Sequence, residues 1–248
     1  MDESPRSSQT TKALLQLREL ILNGEIHPGE RVSELGIVER LGVSRTPIRL
    51  ALVRLQEEGL VECLPTGGFM VREFTEADII DAIDLRGVLE GMAARRCAEQ
   101  RPSRNDLAEI RDCLGSLDAL VHRRELSMDD FSDYIRLNER FHGLLLDLAD
   151  SPVIRRSVEH ILHLPFASPG AFVLVQSELP ESREILIIAQ EHHRSIVEAI
   201  EAGESGRAEN LAREHSRLAR RNLQIALKNH GHLHHVRGMS LIRLREDA

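Results

Sequence analysis

The sequence predicts a mainly α-helical protein, and three observations lead to this prediction. Apolar residues recur at the spacing of helix faces along most of the 248 residues. Start and stop signals, such as Ser-Pro at 151–152 and Asn-Gly at 23–24, separate these periodic segments. The strand signal is confined to two short runs that flank a Pro/Gly turn at 65–68. We therefore expect an N-terminal part that combines helices with one hairpin and a C-terminal antiparallel bundle of helices alone.

Composition and charge narrow the classes of protein. The formal net charge is −8, so DNA binding would need a local concentration of positive charge. The apolar runs are shorter than the ~20 residues of a membrane span, and the polar N-terminus lacks a signal sequence. We therefore predict a cytoplasmic protein without a membrane partner. The three cysteines, Cys63, Cys97 and Cys113, are far apart and odd in number, which is typical of reduced thiols.

The sequence of the first 74 residues predicts three helices and a hairpin. The helices cover residues 10–22, 33–41 and 44–59, and Gly42 marks the tight turn between the second and the third. The hairpin follows at once, with its turn at 65–68. This order of elements is that of a winged helix-turn-helix, so we predict such a domain over residues 1–74.

The start of the third helix collects groups that donate hydrogen bonds. Ile48 and Leu52 share the face that packs on the core, whereas Arg45 and Arg49 lie together on another face. Ser44 suits the N-cap, and the first turn presents free backbone N–H groups at the positive end of the helix dipole. A polyanion such as duplex DNA offers the complementary acceptors. A solvated charged face is the alternative, but the neighbouring turn and hairpin favour DNA.

From Thr75 onwards the sequence predicts helices only. Thr75 and Asp78 resemble a capping box at the start of a long helix. Further helices are predicted over residues 102–123, 128–149, 151–162, 182–201 and 205–227. We assign residues 75–229 to a helical domain and residues 230–248 to a mobile tail. The tail contains four histidines that could hold a metal specifically or fortuitously, namely His230, His232, His234 and His235.

The segment from Val43 to Arg49, with Leu55 further on, resembles the recognition-helix signature of the GntR family of bacterial transcription regulators. The Pro-Gly pair at 28–29 and the hairpin glycines match the same family, so the resemblance covers residues 10–72. It implies that the residues in contact with an operator are Ser44, Arg45, Thr46 and Arg49, together with Gly67 at a hairpin tip that enters the minor groove.

The sequence departs from the family pattern at two positions. Leu50 stands where the family often has Glu, on the helix that would enter the major groove. Thr66 stands where the wing often has a basic residue. The second departure predicts a weaker contact of the wing with DNA.

The helical part resembles the FCD-type effector domain of the family's FadR-like branch, at segments 84–90, 138–142, 191–196 and 208–215. The resemblance implies a metal site, because three imidazoles and one oxygen from three helices suit Zn²⁺, with Ni²⁺ and Mn²⁺ as other candidates. Neighbouring residues of a helix point ~100° apart, so His192 and His193 cannot both bind, and the family pattern favours His193. The predicted ligands are Asn138, His142, His193 and His215.

FadR-like regulators generally sense small organic acids. A metal with an open position would bind the carboxylate of such an effector, and an arginine would hold its other end. Arg86, on the first long helix of the bundle, is the predicted effector-binding residue. The alternative for Arg86 is a surface ion pair with Glu90, four residues further on.

The sequence therefore predicts a homodimeric regulator, not an enzyme, that binds a palindromic operator in double-stranded DNA. We expect a repressor that a small organic acid releases. One alternative is a metal sensor in which the ion itself is the signal. The other is a metal-dependent hydrolase, because a three-histidine site with open positions can activate water. Glu139 lies one residue off the ligand face, which leaves the hydrolase without a placed general base.

Overall fold

The structure, a computed structural model, describes residues 5–164, 166–177, 179, 181–228 and 238–243. It confirms the predicted mainly α fold, with a winged helix-turn-helix and a bundle of helices. The described residues divide into two compact units. The first comprises residues 5–78, 163–164 and 238–243, and the second comprises the described residues of 79–162 and 166–228. The division falls inside a helix, so the predicted domain boundary at 74/75 stays a prediction.

The first unit packs three helices against a small sheet. Its elements are α1 (Pro5–Leu22), β1 (Arg31–Val32), α2 (Glu34–Leu41), α3 (Arg45–Glu57), β2 (Val61–Cys63) and β3 (Phe69–Val71). The strand order is β1-β3-β2, and both pairings are antiparallel. Leu17, Ile48 and Leu52 are fully buried where α1 packs on α3. The sequence did not predict β1, because two residues are too few to display an alternating pattern.

The turn between α2 and α3 has the local signals expected of a helix-turn-helix. Ser33 caps α2, since its Oγ accepts a hydrogen bond from the N–H of Gly36 at 3.2 Å. Gly42 ends α2 in a left-handed conformation, with φ of 63°, and donates its N–H to Val38 O. The chain reverses there and enters α3 from Ser44. This turn therefore orients the start of α3 away from α2.

Residues 238–243 differ from the mobile tail that the sequence predicts. Residues 239–241 form one 3₁₀ turn, and Leu241 is fully buried in the first unit. Phe74 donates its N–H to Leu241 O at 2.8 Å, and Arg243 donates its N–H to Phe74 O at 2.8 Å. An apolar side chain and paired backbone groups hold this segment in place. The predicted histidine cluster at 230–235 lies outside the described residues.

The second unit is a bundle of helices around an aliphatic core. Its elements are α4 (Glu76–Gln100), α5 (Ala108–Val121), α6 (Met128–Leu148), α7 (Pro152–Leu162), α8 (Val173–Gln176), α9 (Ser182–Glu201) and α10 (Ser205–Lys228). The helices α5, α6 and α9 contribute Leu117, Phe141 and Ile200, which are fully buried in one apolar cluster. Among the described residues, no helix combines the length and apolarity needed to cross a membrane.

Local hydrogen bonds explain where two of these helices begin. Thr75 and Asp78 form the predicted cap of α4, with Thr75 N–H bonded to Asp78 Oδ2 at 2.8 Å. The helix predicted from residue 102 begins only at Ala108. Ser103 and Asp106 exchange the same pair of backbone-to-side-chain bonds as Thr75 and Asp78, and here these bonds cap a separate turn over 104–107 that precedes the helix.

Two glycines of α4 allow α10 to approach it closely. A Cβ on Gly87 would lie 2.0 Å from Ser216 Oγ, and a Cβ on Gly91 would lie 2.8 Å from Arg213 Cγ. A side chain at either position would force Ser216 or Arg213 of α10 to shift. The close approach brings the side chains next to Gly87 on α4 toward the middle of α10, where His215 lies.

Candidate functional site

The start of α3 exposes the residues that the sequence predicts to contact DNA. Ser44, Arg45, Thr46 and Arg49 are all exposed, whereas Ile48 and Leu52 of the same helix are fully buried. Ser44 has the extended backbone of an N-cap, with φ of −63° and ψ of 162°. Its side chain makes no capping hydrogen bond. Leu50 is 51% exposed on the same side as Thr46.

The arginines of the first unit fall into two groups. Arg18 is paired with Glu58 at 2.6 Å, and Arg40 is paired with Glu25. Arg45 and Arg49 form no ion pair with any of the residues that the structure describes. Their charges are therefore not neutralised by the described residues of the unit, which supplies the local positive charge that the acidic composition lacked.

The hairpin between β2 and β3 ends in an exposed glycine turn. Gly67 donates its N–H to Leu64 O at 2.8 Å, and Leu64 donates its N–H to Gly68 O at 3.0 Å. Gly67 and Gly68 have φ values of 83° and 88°, which L-residues with a side chain rarely adopt. Gly67 O also accepts a hydrogen bond from Arg31 Nη2 at 2.8 Å. The turn is therefore a compact loop with an arginine beside it.

Three buried histidines of the second unit converge on one point. His142 on α6, His193 on α9 and His215 on α10 each offer a ring nitrogen, and these nitrogens lie within 4.8 Å of one another. The Nε2 atoms of His193 and His215 are 3.0 Å apart. Asn138, one turn before His142 on α6, is also buried, and its Oδ1 has no hydrogen-bond partner among the described residues. The structure thus brings together the three predicted imidazoles.

Gln190 determines which nitrogen of His193 faces the other histidines. The Gln190 amide donates both of its hydrogens, to Leu114 O at 3.1 Å and to Asp118 Oδ1 at 2.6 Å. Its Oε1 must therefore accept the bond to His193 Nδ1, 3.1 Å away. With the proton on Nδ1, the lone pair of His193 lies on Nε2 and points at His215. This is the orientation that a metal-binding imidazole needs.

A buried carboxylate lies beside His142. Glu90 Oε1 of α4 is 3.0 Å from His142 Nδ1, although the angle is not that of a hydrogen bond. Burial alone would raise the pKa of Glu90, but the positive charges of His142 and Arg86 outweigh it and lower the pKa to about 2. Glu90 is therefore ionised. Nε2 of His142 has no hydrogen-bond partner in the described parts of the chain.

Burial keeps two of the imidazoles unprotonated. It lowers the pKa of His193 and of His215 well below the ordinary value, and the charge of a neighbouring histidine adds to the effect in each case. A neutral imidazole is the form that binds a metal ion. His193 and His215 are therefore held in the protonation state that coordination requires.

Arg86 lies inside the bundle rather than on its surface. It is only 1% exposed, and its Nε and Nη1 find no hydrogen-bond partner in the described chain. Burial lowers the pKa of Arg86, and the negative charge of Glu90 opposes this effect. A cavity of about 30 Å³ is lined by Arg86, Asn138 and His215, with Tyr134 and Asn222 nearby. The alternative of a surface ion pair between Arg86 and Glu90 is therefore wrong, because both residues are buried.

Sequence reasoning missed two residues of this site, Glu90 as a partner of His142 and Gln190 as a partner of His193. The spacing of Gln190 and His193, three residues apart on one helix, was the available signal. His192 is half-buried, and its ring centre lies 5.9 Å from that of His215, but it is outside the convergent group.

Comparisons with known proteins match both units. The family model for the FCD domain matches residues 81–218, and the model for "Bacterial regulatory proteins, gntR family" matches residues 9–71. The "Probable D-xylose utilization operon transcriptional repressor" of Paenarthrobacter nicotinovorans is 30% identical over 219 residues, 87% of this chain and 90% of that protein.

Two further relatives agree with this match. The HTH-type transcriptional regulator YdhC of Bacillus subtilis is 30% identical over 146 residues, 59% of this chain and 63% of that protein, so the match spans less than two thirds of it. The crystal structure of a GntR transcriptional regulator from Rhodococcus sp. RHA1 has a TM-score of 0.54 at 25% identity, over 88% of this chain and 97% of that one.

The winged unit with its arginine-rich helix, joined to these matches, defines a DNA-binding transcription regulator, a class of proteins that are not enzymes. The chain belongs to the GntR family of bacterial regulators and carries an FCD domain.

Proposed function

We propose that this regulator is a homodimeric repressor whose affinity for its operator is controlled by a small organic acid bound at a metal site in the helical unit. The observation that carries the proposal is a group of unpartnered polar atoms, of which those of Arg86 and Asn138 belong to residues that line one cavity and that of His142 belongs to the neighbouring histidine group. Asn138 Oδ1, His142 Nε2 and two N–H groups of Arg86 have no partner in the described structure, although all are buried. Burying such groups without a partner costs free energy, so they call for a ligand.

The donor set fits a divalent metal ion. His142, His193 and His215 would hold it, with Asn138 as an oxygen ligand, and Zn²⁺ suits three imidazoles best, while Ni²⁺ and Mn²⁺ are further candidates. When bound, the ion supplies positive charge and a coordination position for a carboxylate. Gln190 orients His193 through the hydrogen bond to Nδ1, and Glu90 places a negative charge 3.0 Å from Nδ1 of His142. The bond from Gln190 thereby keeps His193 aligned.

A small carboxylate matches the remaining groups. The Arg86 guanidinium lines the same cavity as Asn138 and His215, so it can bind the part of an acid that the metal leaves free. A cavity of about 30 Å³ has room for only about one or two water molecules. We therefore expect an acid to displace the side chains that line the cavity and to shift the helices that carry them. That shift couples occupancy to conformation.

The DNA contacts follow from the winged unit. Ser44, Arg45, Thr46 and Arg49 would enter the major groove, and Gly67 would approach the minor groove with the hairpin. Two copies of the chain would place these elements on the halves of a palindrome. The Paenarthrobacter relative is named as a repressor, which supports repression as the mode of action.

A metal sensor is the second candidate function, because the three histidines can hold an ion without any acid. In that case the ion itself would change the affinity for DNA. The two candidates make opposite predictions about metal added alone, so one titration separates them.

The experiment measures operator affinity with metal-free full-length protein and a duplex selected from a random-sequence library. Zn²⁺ alone, a panel of small mono- and dicarboxylates alone, and both together are added. We expect one acid to weaken operator binding roughly 5- to 150-fold, and only with Zn²⁺ present. A change with Zn²⁺ alone favours the metal sensor. Operator affinity that no acid and no metal alters would contradict both.

A further inference from the structure

Strand β1 places one arginine of the first unit on the outer face of the sheet. Arg31 pairs with Met70 of β3, and its neighbour Val32 pairs with Phe69. Val32 and Phe69 are buried, so the alternation of the strand turns the Arg31 side chain toward solvent. The strand is only two residues long, and it ends beside the hairpin turn of β2 and β3.

The Arg31 guanidinium lies along that turn. Its Nη2 donates to Gly67 O at 2.8 Å. A Cβ on Gly68 would lie 3.3 Å from the same Nη2 and 3.4 Å from Nε. Because Gly68 has no side chain, there is room for the guanidinium beside it. The φ of Gly68 is 88°, a backbone conformation of the turn that residues with a side chain rarely adopt. The arginine and the two glycines form one arrangement, in which the turn orients the cation.

The partner of Arg31 is neutral, so its charge is not compensated. A backbone carbonyl accepts one N–H and leaves the positive charge and the other donors available. In the described residues, Arg31 has no carboxylate within ion-pair distance, in contrast to Arg18 and Arg40. The four turn residues at 65–68 carry no charge. Arg31 is therefore the basic group of the hairpin tip, although it comes from another strand.

We propose that Arg31 is a further DNA-binding residue, which gives the wing its positive charge and contacts the anionic surface of the operator at the minor groove. Arginines at such positions are attracted by the negative potential of a narrow minor groove and by the phosphates on its edges. The bond to Gly67 O holds the guanidinium at the tip before DNA arrives, so less side-chain entropy is lost on binding. This inference rests on the proposed DNA contact of the wing.

The test measures the affinity of the full-length protein for the selected duplex as a function of salt concentration. Arg31→Ala is expected to weaken binding roughly 5- to 100-fold and to reduce the slope of log K against log salt by about one per wing. Arg31→Lys should keep the slope. Adding Thr66→Lys to Arg31→Ala puts a cation back on the turn and should restore most of the affinity.

Three comparisons make the outcome decisive. Arg40→Ala removes an exposed arginine that is already paired with Glu25, and it should reduce the slope less than Arg31→Ala. Replacing G·C with inosine·C pairs beneath the wing changes the floor of the minor groove and leaves the phosphates as they were. If Arg31 contacts the groove floor, the replacement alters the operator affinity of the wild-type protein but not that of Arg31→Ala. If Arg31 contacts phosphates, the replacement leaves both affinities unchanged. Thermal melting checks whether Arg31 only stabilises the hairpin. In that case the melting temperature of Arg31→Ala falls while its salt slope is retained.

An unchanged affinity and slope in Arg31→Ala would overturn the inference. Arg49→Ala in the same assay tells this failure from a failure of the proposed interface. If Arg49→Ala weakens operator binding and Arg31→Ala does not, the recognition helix binds DNA without Arg31. If neither variant has an effect, the interface itself is wrong.

Discussion

At the scale of single residues, Gln190 illustrates how one side chain sets the chemistry of another. Both hydrogens of its amide are bonded to Leu114 O and Asp118, so its oxygen accepts from His193 Nδ1. An imidazole that donates through Nδ1 keeps its lone pair on Nε2. The hydrogen-bond chain from α5 thus reaches His193 on α9 and leaves its Nε2 available for the proposed metal.

We predict that Gln190→Ala weakens Zn²⁺ binding roughly 10- to 100-fold, because His193 loses the partner that orients its ring. Competition with a chelating dye measures the affinity. Gln100→Ala is the matched control, since Gln100, the last residue of α4, bonds to Ala149 O at the end of α6 and its loss should leave Zn²⁺ affinity unchanged. Wild-type affinity in Gln190→Ala would show that His193 does not depend on this bond.

At the scale of the elements, the short distance between α4 and α10 determines which side chains line the cavity. Gly87 lets Ser216 approach, and its neighbour Arg86 therefore reaches the cavity that His215 of α10 also lines. A helix with Ala at this position would have to move outward, because the Cβ would meet Ser216 Oγ at 2.0 Å. The small residue acts through the distance between two helices rather than through any chemistry of its own.

Gly87→Ala should therefore destabilise the bundle by about 1–3 kcal/mol and lower its affinity for Zn²⁺, since α10 carries His215. Gly115→Ala is the control, because a Cβ on Gly115 of α5 meets nothing within 4 Å. Gly115→Ala should raise the free energy of unfolding by about 0.5–1 kcal/mol, because Ala has a higher helix propensity than Gly. Denaturant unfolding and dye competition measure both variants. Equal behaviour of the two would refute the role of Gly87.

At the scale of the whole molecule, the ligands proposed for the two units differ, so the units should respond to metal differently. The three histidines belong to three helices of the second unit, so a bound ion would link α6, α9 and α10. A ligand that binds only the folded state stabilises it by mass action. The arginines predicted to contact DNA lie in the first unit, which contains none of these ligands.

Metal removal should therefore destabilise the second unit selectively. At a free Zn²⁺ concentration 100-fold above Kd the ion contributes about 2.7 kcal/mol, which chelation removes. Hydrogen–deuterium exchange should show faster exchange in α6, α9 and α10 after chelation, and little change in α1 and α3. His142→Ala should abolish the response. If chelation still acts on that variant, the metal lies elsewhere, for instance at His230–His235 of the predicted tail.

Much of this molecule was predictable from local patterns. Apolar periodicity and caps predicted the helices within a few residues, because each helix buries one face and satisfies its own termini. The faces of α3 were predictable for the same reason, since Ile48 and Arg49 must point in different directions on any helix. The resemblance to a family added the three histidines, which the structure brings together.

By itself, the sequence determined the mainly α fold, the winged helix-turn-helix and the exposed arginines of α3. Only the tertiary structure decided that Arg86 and Glu90 are buried, that Leu114 and Asp118 fix the amide of Gln190 and that Arg31 lies on the hairpin turn. These contacts join residues that are far apart in the chain or lie on a two-residue strand, so no local pattern encodes them. They depend on how closely helices approach and which strands pair, and packing of the whole unit sets both.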